Sequence, residues 1–487
     1  MKRTICVVLC FITTIGWTQT EEDALRYSLT EFGGTARYNS VCGAFGALGA
    51  DLTVLSTNPA GMARFKNSEF TITGGLVLAG AKSTFNGTAS TDGKENFNLG
   101  NIGVVGVSKA TEDTPTPWRS VQFGFAYNRL ANFNNRFNVN GEHNNSLSYE
   151  LANLGANTIP NQLEIYNPFD AYIAYEAFLI DPDSTGSNYT TQMYVNQIEM
   201  DQTTTTSGSM GESVLALSGN YADRVYIGAS LGFPRIRYER ERVHIENSLI
   251  DSTDLRSFSY TENNRTTGSG MNLKLGIIAV PVEWLRLGLA YHTRSSLTLR
   301  DYWSSQVSTS FSNGDQFLVN SPVPGSHVYK LKTPRRIMAS AAIVVAKSGM
   351  ISVDVERVSY TNASLNLHPF SGDSYNYTAE NATIQTNYRA VNNIRIGGEY
   401  RISKPWMLRA GYALYQNPYD ITVVATQEPR ISYSGGFGYR TKDFYADVAY
   451  KVTKWTEDYY MYNPALVSNA ALEHSVGQLL FTIGTKF

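Results

Sequence analysis

The sequence predicts an all-β chain that folds as a transmembrane antiparallel β-barrel of about 14 strands, with an N-terminal segment inside it as a plug. Three observations support this fold class. Segments of the chain alternate apolar and polar residues with the period of two that a strand needs between lipid and a lumen. After the first 20 residues, no apolar run is long enough for a membrane-spanning helix. Tyrosine (31) and glycine (40) are abundant, which suits such a barrel.

Residues 1–19 have the pattern of a secretory signal peptide. Lys2 and Arg3 precede an apolar stretch from Ile5 to Ile15, and an acidic start follows at Glu21. Without those two basic residues, the chain has 38 basic and 42 acidic residues and a net charge of −4. This charge does not indicate a surface that binds nucleic acid. The exported chain then holds one cysteine, Cys42, so no intramolecular disulfide supports the fold.

Fourteen segments carry the two-residue period strongly enough to predict strands. In one of them, Leu285, Leu287 and Leu289 alternate with Arg286, Gly288 and Ala290. The predicted strands lie near 68–80, 100–110, 119–132, 210–220, 223–240, 266–281, 284–300, 334–347, 349–362, 392–403, 405–416, 431–441, 443–456 and 476–487. The apolar row of each strand should face lipid.

Two kinds of connection join the predicted strands in strict alternation. The short ones carry turn residues and lie near 111–117, 220–223, 281–283, 347–349, 403–405 and 441–443. The long ones follow each odd-numbered strand, and the longest, at 133–209, is aromatic and becomes helix-compatible after Pro168. Outer-membrane barrels have short periplasmic turns and long extracellular loops. The pattern therefore predicts a multi-pass protein of the bacterial outer membrane with both termini in the periplasm.

The domain organisation follows from the position of the first strand. Residues 66–487 form the predicted barrel, and residues 20–65, which are rich in glycine and alanine, precede it. A barrel of about fourteen strands has an interior wider than its own side chains readily fill. We therefore expect residues 20–65 to fold into the lumen as a plug, or hatch, which disfavours an open general porin.

Charged residues of the strands should point into the lumen, because Arg or Lys facing lipid at mid-bilayer costs roughly 2–4 kcal/mol. The inward candidates are Lys274, Arg286, His292, Asp354, Glu356, Arg395, Glu399, Arg401, Arg409, Asp447 and Lys451. One interpretation is a network of paired acids and bases that fills the barrel. The other is that some of the cations meet the anionic headgroup of a ligand, with Arg286, Arg395, Arg409 and Lys274 as the candidates.

One run in the N-terminal segment carries a family resemblance. The residues from Gly43 to Ala63 read GAFGALGADLTVLSTNPAGMA and contain Asn58-Pro59-Ala60-Gly61. This run resembles the hatch of the outer-membrane transporters for long-chain fatty acids and aromatic hydrocarbons (FadL/TodX/OmpP1 type). Weaker matches lie at 352–360, 408–412, 417–419 and 435–439, and the stretches 23–28 and 32–37 resemble a Bacteroidetes-type subgroup. The resemblance implies fourteen strands, an N-terminal hatch and uptake of hydrophobic small molecules.

The hatch motif also has a purely structural interpretation. Pro59 fixes its own φ and restricts Asn58 to extended geometry, and the Asn58 side chain can hydrogen-bond local backbone. The four residues would then form a turn before the first strand and nothing more.

The resemblance leaves two functions open: uptake of a fatty acid-like or aromatic compound through a plugged barrel, and a non-transporting receptor that binds through its extracellular loops. Signals for an enzyme are poor. His292 lies near Ser295 and Ser296 in the sequence, as in an outer-membrane lipase, but serine beside histidine is common by chance. We expect no catalytic site, no cofactor and no metal. The expected partners are a hydrophobic ligand, outer-membrane lipid and the barrel assembly machinery, and the expected state is a monomer.

The last strand leads to a prediction about assembly. Leu479, Phe481, Ile483 and Phe487 share its apolar row, and a terminal aromatic residue resembles the signal that hands barrels to their assembly machinery. We predict that Phe487→Asp lowers the amount of heat-modifiable barrel in the outer membrane, whereas Lys486→Gln, on the other face, does not. Equal amounts of folded barrel from both variants would contradict this role.

Overall fold

The computed structural model describes residues 20–110, 116–193, 197–250, 254–345, 348–369, 371, 374–424 and 428–487. The predicted signal peptide, residues 1–19, lies outside the described residues. The strands are β1 (Glu69–Phe85), β2 (Thr88–Lys109), β3 (Trp118–Asn132), β4 (Asn135–His143), β5 (Ile180–Pro182), β6 (Tyr189–Thr191), β7 (Ile198–Tyr221), β8 (Val225–Ser248), β9 (Leu255–Val282), β10 (Leu285–His292), β11 (Ser296–Phe311), β12 (Gln316–Asn320), β13 (Gly325–Lys332), β14 (Arg336–Val345), β15 (Gly349–Ser359), β16 (Ser364–Leu367), β17 (Ala390–Ser403), β18 (Trp406–Tyr415), β19 (Arg430–Arg440), β20 (Phe444–Tyr459) and β21 (Ala470–Lys486).

Fourteen of these strands form a closed antiparallel wall, which confirms the predicted fold class. Each wall strand pairs with its neighbours, and the first strand pairs with the last, as in Phe70 with Thr485. The wall strands are β1, β2, β3, β7, β8, β9, β10, β14, β15, β17, β18, β19, β20 and β21. They match the fourteen predicted segments one to one.

The predicted alternation holds along the wall. On β21, Phe481 and Ile483 are exposed on the outside, whereas Leu480 and Thr482 are buried inside. A closed barrel leaves no unpaired edge and satisfies its backbone hydrogen bonds between strands, so its outer face can be apolar. Among the described residues, no helix is both long and apolar enough to cross a bilayer.

The strict alternation of long and short connections is wrong at the first hairpin. β1 and β2 continue well past the apolar rows and meet in a two-residue turn at Asn86 and Gly87, both with positive φ. Asn-Gly is the sequence that such a tight hairpin turn prefers. The residues predicted as a long loop are therefore mostly strand, and several neighbouring wall strands extend in the same direction. We call this end of the barrel the outer end and the other the inner end.

Two predicted strands are also too long. The segment predicted at 284–300 breaks after His292 into β10 and β11, and the segment predicted at 349–362 ends as β15 at Ser359, where a 3₁₀ turn (Tyr360–Asn362) follows. β13 and β14 break at the same level, between Lys332 and Arg336. Backbone bonds join two of these breaks, because Thr333 N donates to Ser295 O at 3.0 Å.

In the described part of the chain, α-helices occur in three places. The N-terminal segment, residues 20–65, contains α1 (Glu21–Arg26), α2 (Ala36–Asn39) and two 3₁₀ turns (Leu52–Ser56 and Pro59–Arg64). The longest connection contains α3 (Leu147–Leu154), α4 (Pro160–Tyr166) and α5 (Ala171–Glu176), and α6 (Thr378–Asn387) follows β16. Of the helices in the longest connection, only the region of α5 had a sequence signal.

Candidate functional site

The N-terminal segment lies among the inward-facing residues of the wall on all sides. Its backbone reaches β15, where the Asp354 carboxylate accepts hydrogen bonds from Phe45 N and Gly46 N, both at 3.0 Å. Five strands further round the wall, Thr482 Oγ1 on β21 accepts from Ala36 N at 2.7 Å. Residues from Ala36 to Ala63 are almost all buried. The lumen is therefore occupied at this level.

Asn58 ties two parts of this segment together. Its Oδ1 accepts from Ala60 N at 3.2 Å and so caps the 3₁₀ turn that begins at Pro59, while its Nδ2 donates to Gly46 O at 2.7 Å. The φ and ψ of Asn58 are −127° and 96°, the extended geometry that a following proline imposes.

Wall glycines make room for the hatch motif. Gly228 on β8 and Gly276 on β9 are direct partners in the sheet. A Cβ atom at Gly228 would lie 2.5 Å from the carbonyl of Pro59, and one at Gly276 would overlap Asn58 Oδ1. The motif thus packs its backbone directly against the wall. Inward-facing glycine on neighbouring strands was the signal in the sequence that could have revealed this contact.

Three of the four cations proposed to meet a ligand are already paired. Lys274 Nζ lies 2.6 Å from Glu212, Arg395 lies 3.0 Å from Glu356, and Arg409 lies between Glu399 (2.5 Å) and Asp447 (2.6 Å). Buried charges require such partners. Arg286 differs: no carboxylate partner or hydrogen bond is found for it among the described residues, and it is half-buried near the inner end. For these three cations, the geometry favours a network of paired acids and bases over direct contact with a ligand headgroup.

The wall is interrupted between β2 and β3. The two strands pair from Lys109–Ser120 up to Asn101–Asn128, and toward the outer end no further pairing between them is found in the described residues. β4 continues the course of β3 but pairs with β7. The interruption therefore leaves facing backbone edges at the level of Leu99 on β2, whose side chain is exposed on the outside.

Residues 31–34 of the N-terminal segment bridge these two edges. Glu31 N donates to Leu130 O and Gly33 N to Arg129 O, both at 2.8 Å, on the β3 side. Gly34 N donates to Gly100 O at 3.3 Å on the β2 side. The segment thus supplies donors to carbonyls that the wall strands leave unpaired. The strand pattern gave no hint of this interruption.

A small cavity lies behind the bridge. Its open volume is about 40 Å³, enough for water but not for an organic molecule. Phe32, Leu130 and Leu297 line its apolar side, and Lys274 and Glu212 line its polar side. Glu212 Oε2 is buried there without a hydrogen-bond partner. The cavity combines apolar surface with a buried ion pair.

The candidate hydrolase residues are not brought together. His292 Nε2 lies 2.5 Å from Thr57 O, so its ring nitrogen donates to the N-terminal segment. Ser295 Oγ accepts from Asn272 Nδ2 at 3.0 Å, and Ser296 is exposed on the outer face. This arrangement contains no serine–histidine hydrogen bond.

The longest connection folds back over the outer end as a cap. Leu151 and Ile173 pack there with Phe258 of the wall in a buried apolar cluster. Asp170, at the start of α5, accepts from the Tyr260 hydroxyl at 3.0 Å, and burial raises its pKa to about 7. The outer surface of the cap is apolar around α4, where Ile165 and Tyr166 are 73% and 68% exposed.

Comparison with known proteins identifies the family. The model of the family described as "Outer membrane protein transport protein (OMPP1/FadL/TodX)" matches residues 181–472. The chain belongs to this family. It is thus a multi-pass barrel of the outer membrane, and its family consists of transport proteins. The matched residues do not include the hatch motif at 58–61. None of the curated proteins matches the sequence.

Solved structures of transporters share the fold. The Pseudomonas putida toluene transporter TodX superposes with a TM-score of 0.54 at 12% identity, over 93% of this chain and 99% of TodX. A FadL homologue of Pseudomonas aeruginosa gives 0.55 at 12% identity, over 94% and 98%. The Ralstonia pickettii toluene transporter TbuX gives 0.50 at 14% identity, over 95% and 100%. At such identities the likeness concerns the fold.

The wall glycines lead to a prediction about how the hatch is seated. We predict that Gly276→Val displaces Asn58 and raises the ion conductance of the barrel in planar bilayers several-fold, because the added side chain overlaps the amide. Gly435→Val is the control, since its Cβ would lie 3.9 Å from the nearest atom. Heat modifiability confirms that both variants are folded. A folded Gly276→Val barrel with unchanged conductance would contradict this seat.

Proposed function

We propose that the protein takes up hydrophobic small molecules across the outer membrane, through a barrel that the N-terminal segment plugs. The observation that supports this best is the bridge at residues 31–34, which joins two wall edges beside a cavity. Family membership and the shared fold support the same function.

Capture begins at the cap in this proposal. Ile159, Ile165 and Tyr166 expose apolar surface around α4 to water. Apolar surface that is exposed in this way gains free energy when it binds an apolar solute. The same surface also suits a non-transporting receptor, so binding alone does not distinguish the two functions.

The cavity favours an amphiphilic ligand over a purely apolar one. Phe32 and Leu130 would contact an acyl chain, while the Lys274 ammonium would meet an acidic headgroup in competition with Glu212. A fatty acid-like molecule has both parts, and a monoaromatic hydrocarbon has only the first. Of the four lumen cations, we therefore retain Lys274 as the ligand contact. The cavity must widen for such a ligand, which requires movement of the N-terminal segment.

The bridge offers the shortest way out of this cavity. Residues 31–34 are held to the wall by three backbone hydrogen bonds and by the ion pair of Glu31 with Lys451, whereas the rest of the segment is held by many more buried contacts. Release of this short stretch costs less than extraction of the whole segment. An apolar solute also partitions into the bilayer rather than into the aqueous periplasm. In this scheme Asn58, Pro59, Ala60 and Gly61 keep the remainder of the segment seated during passage.

Uptake assays in a host that lacks its own family member test the proposal. We predict that the protein supports uptake of oleate, and that deletion of residues 24–60 abolishes selective uptake while raising bilayer conductance to small polar solutes. Lys274→Met combined with Glu212→Gln should lower oleate uptake about tenfold or more, because an ionic contact of 1.4 kcal/mol or more is lost.

Toluene serves as the neutral control ligand, and heat modifiability verifies the folded barrel. Binding of oleate without any uptake above the empty host would support the receptor function instead. Low, unchanged conductance of a folded deletion variant would show that the N-terminal segment is not the plug.

A further inference from the structure

Six basic side chains form an arc on the outward face of the barrel. The arc lies between the apolar rows of the strands and the outer end. We call these residues the basic arc, and all six are exposed. They are Arg235 on β8, Arg294 between β10 and β11, Arg300 on β11, Lys332 on β13, Arg335 between β13 and β14, and Arg357 on β15.

The arc lies where the outer surface changes from apolar to polar. Four arginines of the arc each lie two or three residues from an exposed apolar residue, on the side nearer the outer end. These pairs are Phe233 with Arg235, Tyr291 with Arg294, Ile337 with Arg335, and Val355 with Arg357. The apolar residues face hydrocarbon, so the arginines lie at the depth of the lipid headgroups.

Sheet pairing places these residues side by side. β9 lies between β8 and the β10–β11 pair, β14 and β15 continue the wall from β10, and β13 pairs with β11. Ser296 pairs with Lys332, and Ile337 pairs with Arg357. Neighbouring strands lie roughly 4.8 Å apart, so arginines on adjacent elements can reach one group.

The arc has no compensating acids. Within the described residues, none of its six side chains forms an ion pair with a carboxylate; Arg300 contacts the Tyr302 hydroxyl at 3.4 Å and Arg357 the Asn392 side-chain oxygen at 3.2 Å. Some outward cations elsewhere on the wall are paired: Lys82 lies 3.4 Å from Glu473, and Arg237 lies 2.9 Å from Glu239. Clustered like charges repel one another unless a counter-anion is present.

We propose that the basic arc binds the phosphate groups of a phosphorylated glycolipid in the outer leaflet. The depth of the arc selects a headgroup rather than a soluble anion, and guanidinium groups bind phosphate through paired, charge-assisted hydrogen bonds. Basic clusters at this depth of membrane proteins attract anionic headgroups. This site is independent of the transport route and lies on the outside of the wall.

Native mass spectrometry of the purified full chain tests the proposal, with diphosphorylated lipid A as the probe and its dephosphorylated form as the comparison ligand. We predict that the wild type prefers the phosphorylated form. The combined variant Arg235→Gln, Arg294→Gln, Arg335→Gln and Arg357→Gln should lose at least about tenfold in affinity. The matched control neutralises four cations that lie away from the arc, Lys82, Arg119, Arg136 and Lys454, and should keep wild-type affinity.

Heat modifiability shows whether each variant is folded. If the fourfold variant does not fold, Arg294→Gln and Arg335→Gln are tested singly, because both lie in strand breaks and make no strand pairing. Equal affinity of wild type and variant for the phosphorylated lipid would overturn the proposal. So would equal affinity of the wild type for the two forms of the lipid.

Discussion

Hydrocarbon offers no hydrogen-bond partner, so every backbone N–H and C=O group inside the bilayer must find one in the protein. Fourteen strands meet this demand by closing from β1 to β21. An interruption lies above the Asn101–Asn128 pair, where β2 and β3 separate and residues 31–34, together with the Arg129 side chain, supply donors to the unpaired carbonyls. The N-terminal segment is therefore part of the wall as well as the content of the lumen. In this structure, its residues 31–34 close the gap between β2 and β3.

The remaining contacts of the segment fix its position. Both charged residues and glycines of the wall hold the segment in place. Asp354 accepts a hydrogen bond from Gly46 N, and Gly276 leaves space for the Asn58 side chain. The Lys451 ammonium, 2.7 Å from the Glu31 carboxylate, holds the first residue of the bridge to β20. Several inward-facing charges thus serve the fit between segment and wall, and others pair within the wall, because a buried charge is stable only when it is paired. Lys274 pairs with Glu212 and lines the cavity, and we assign it to the ligand.

The sequence predicted the structural features that contact with lipid imposes. It missed the features that do not depend on lipid. All fourteen wall strands were predicted because each needs an apolar outer row. Beyond the bilayer both strand faces are polar, so the alternation disappears and the extension of β1 to the turn at Asn86 was predicted as a loop. The break after His292 was missed because alternation resumes at once in β11. Backbone contacts such as Gly33 with Arg129 leave no periodic pattern in the side chains, and partners such as Glu356 for Arg395 depend on register.

A disulfide between the segment and the wall tests whether passage of the ligand requires release of the bridge. A Cβ atom built at Gly33 lies 3.2 Å from Arg129 Cβ, close to the spacing of about 3.5–4.5 Å in disulfides. In a Cys42→Ser background, Gly33→Cys with Arg129→Cys should abolish oleate uptake when oxidised and restore it on reduction, while each single cysteine variant transports in both conditions. Unchanged uptake by the fully oxidised, folded barrel would show that passage does not require release of the bridge.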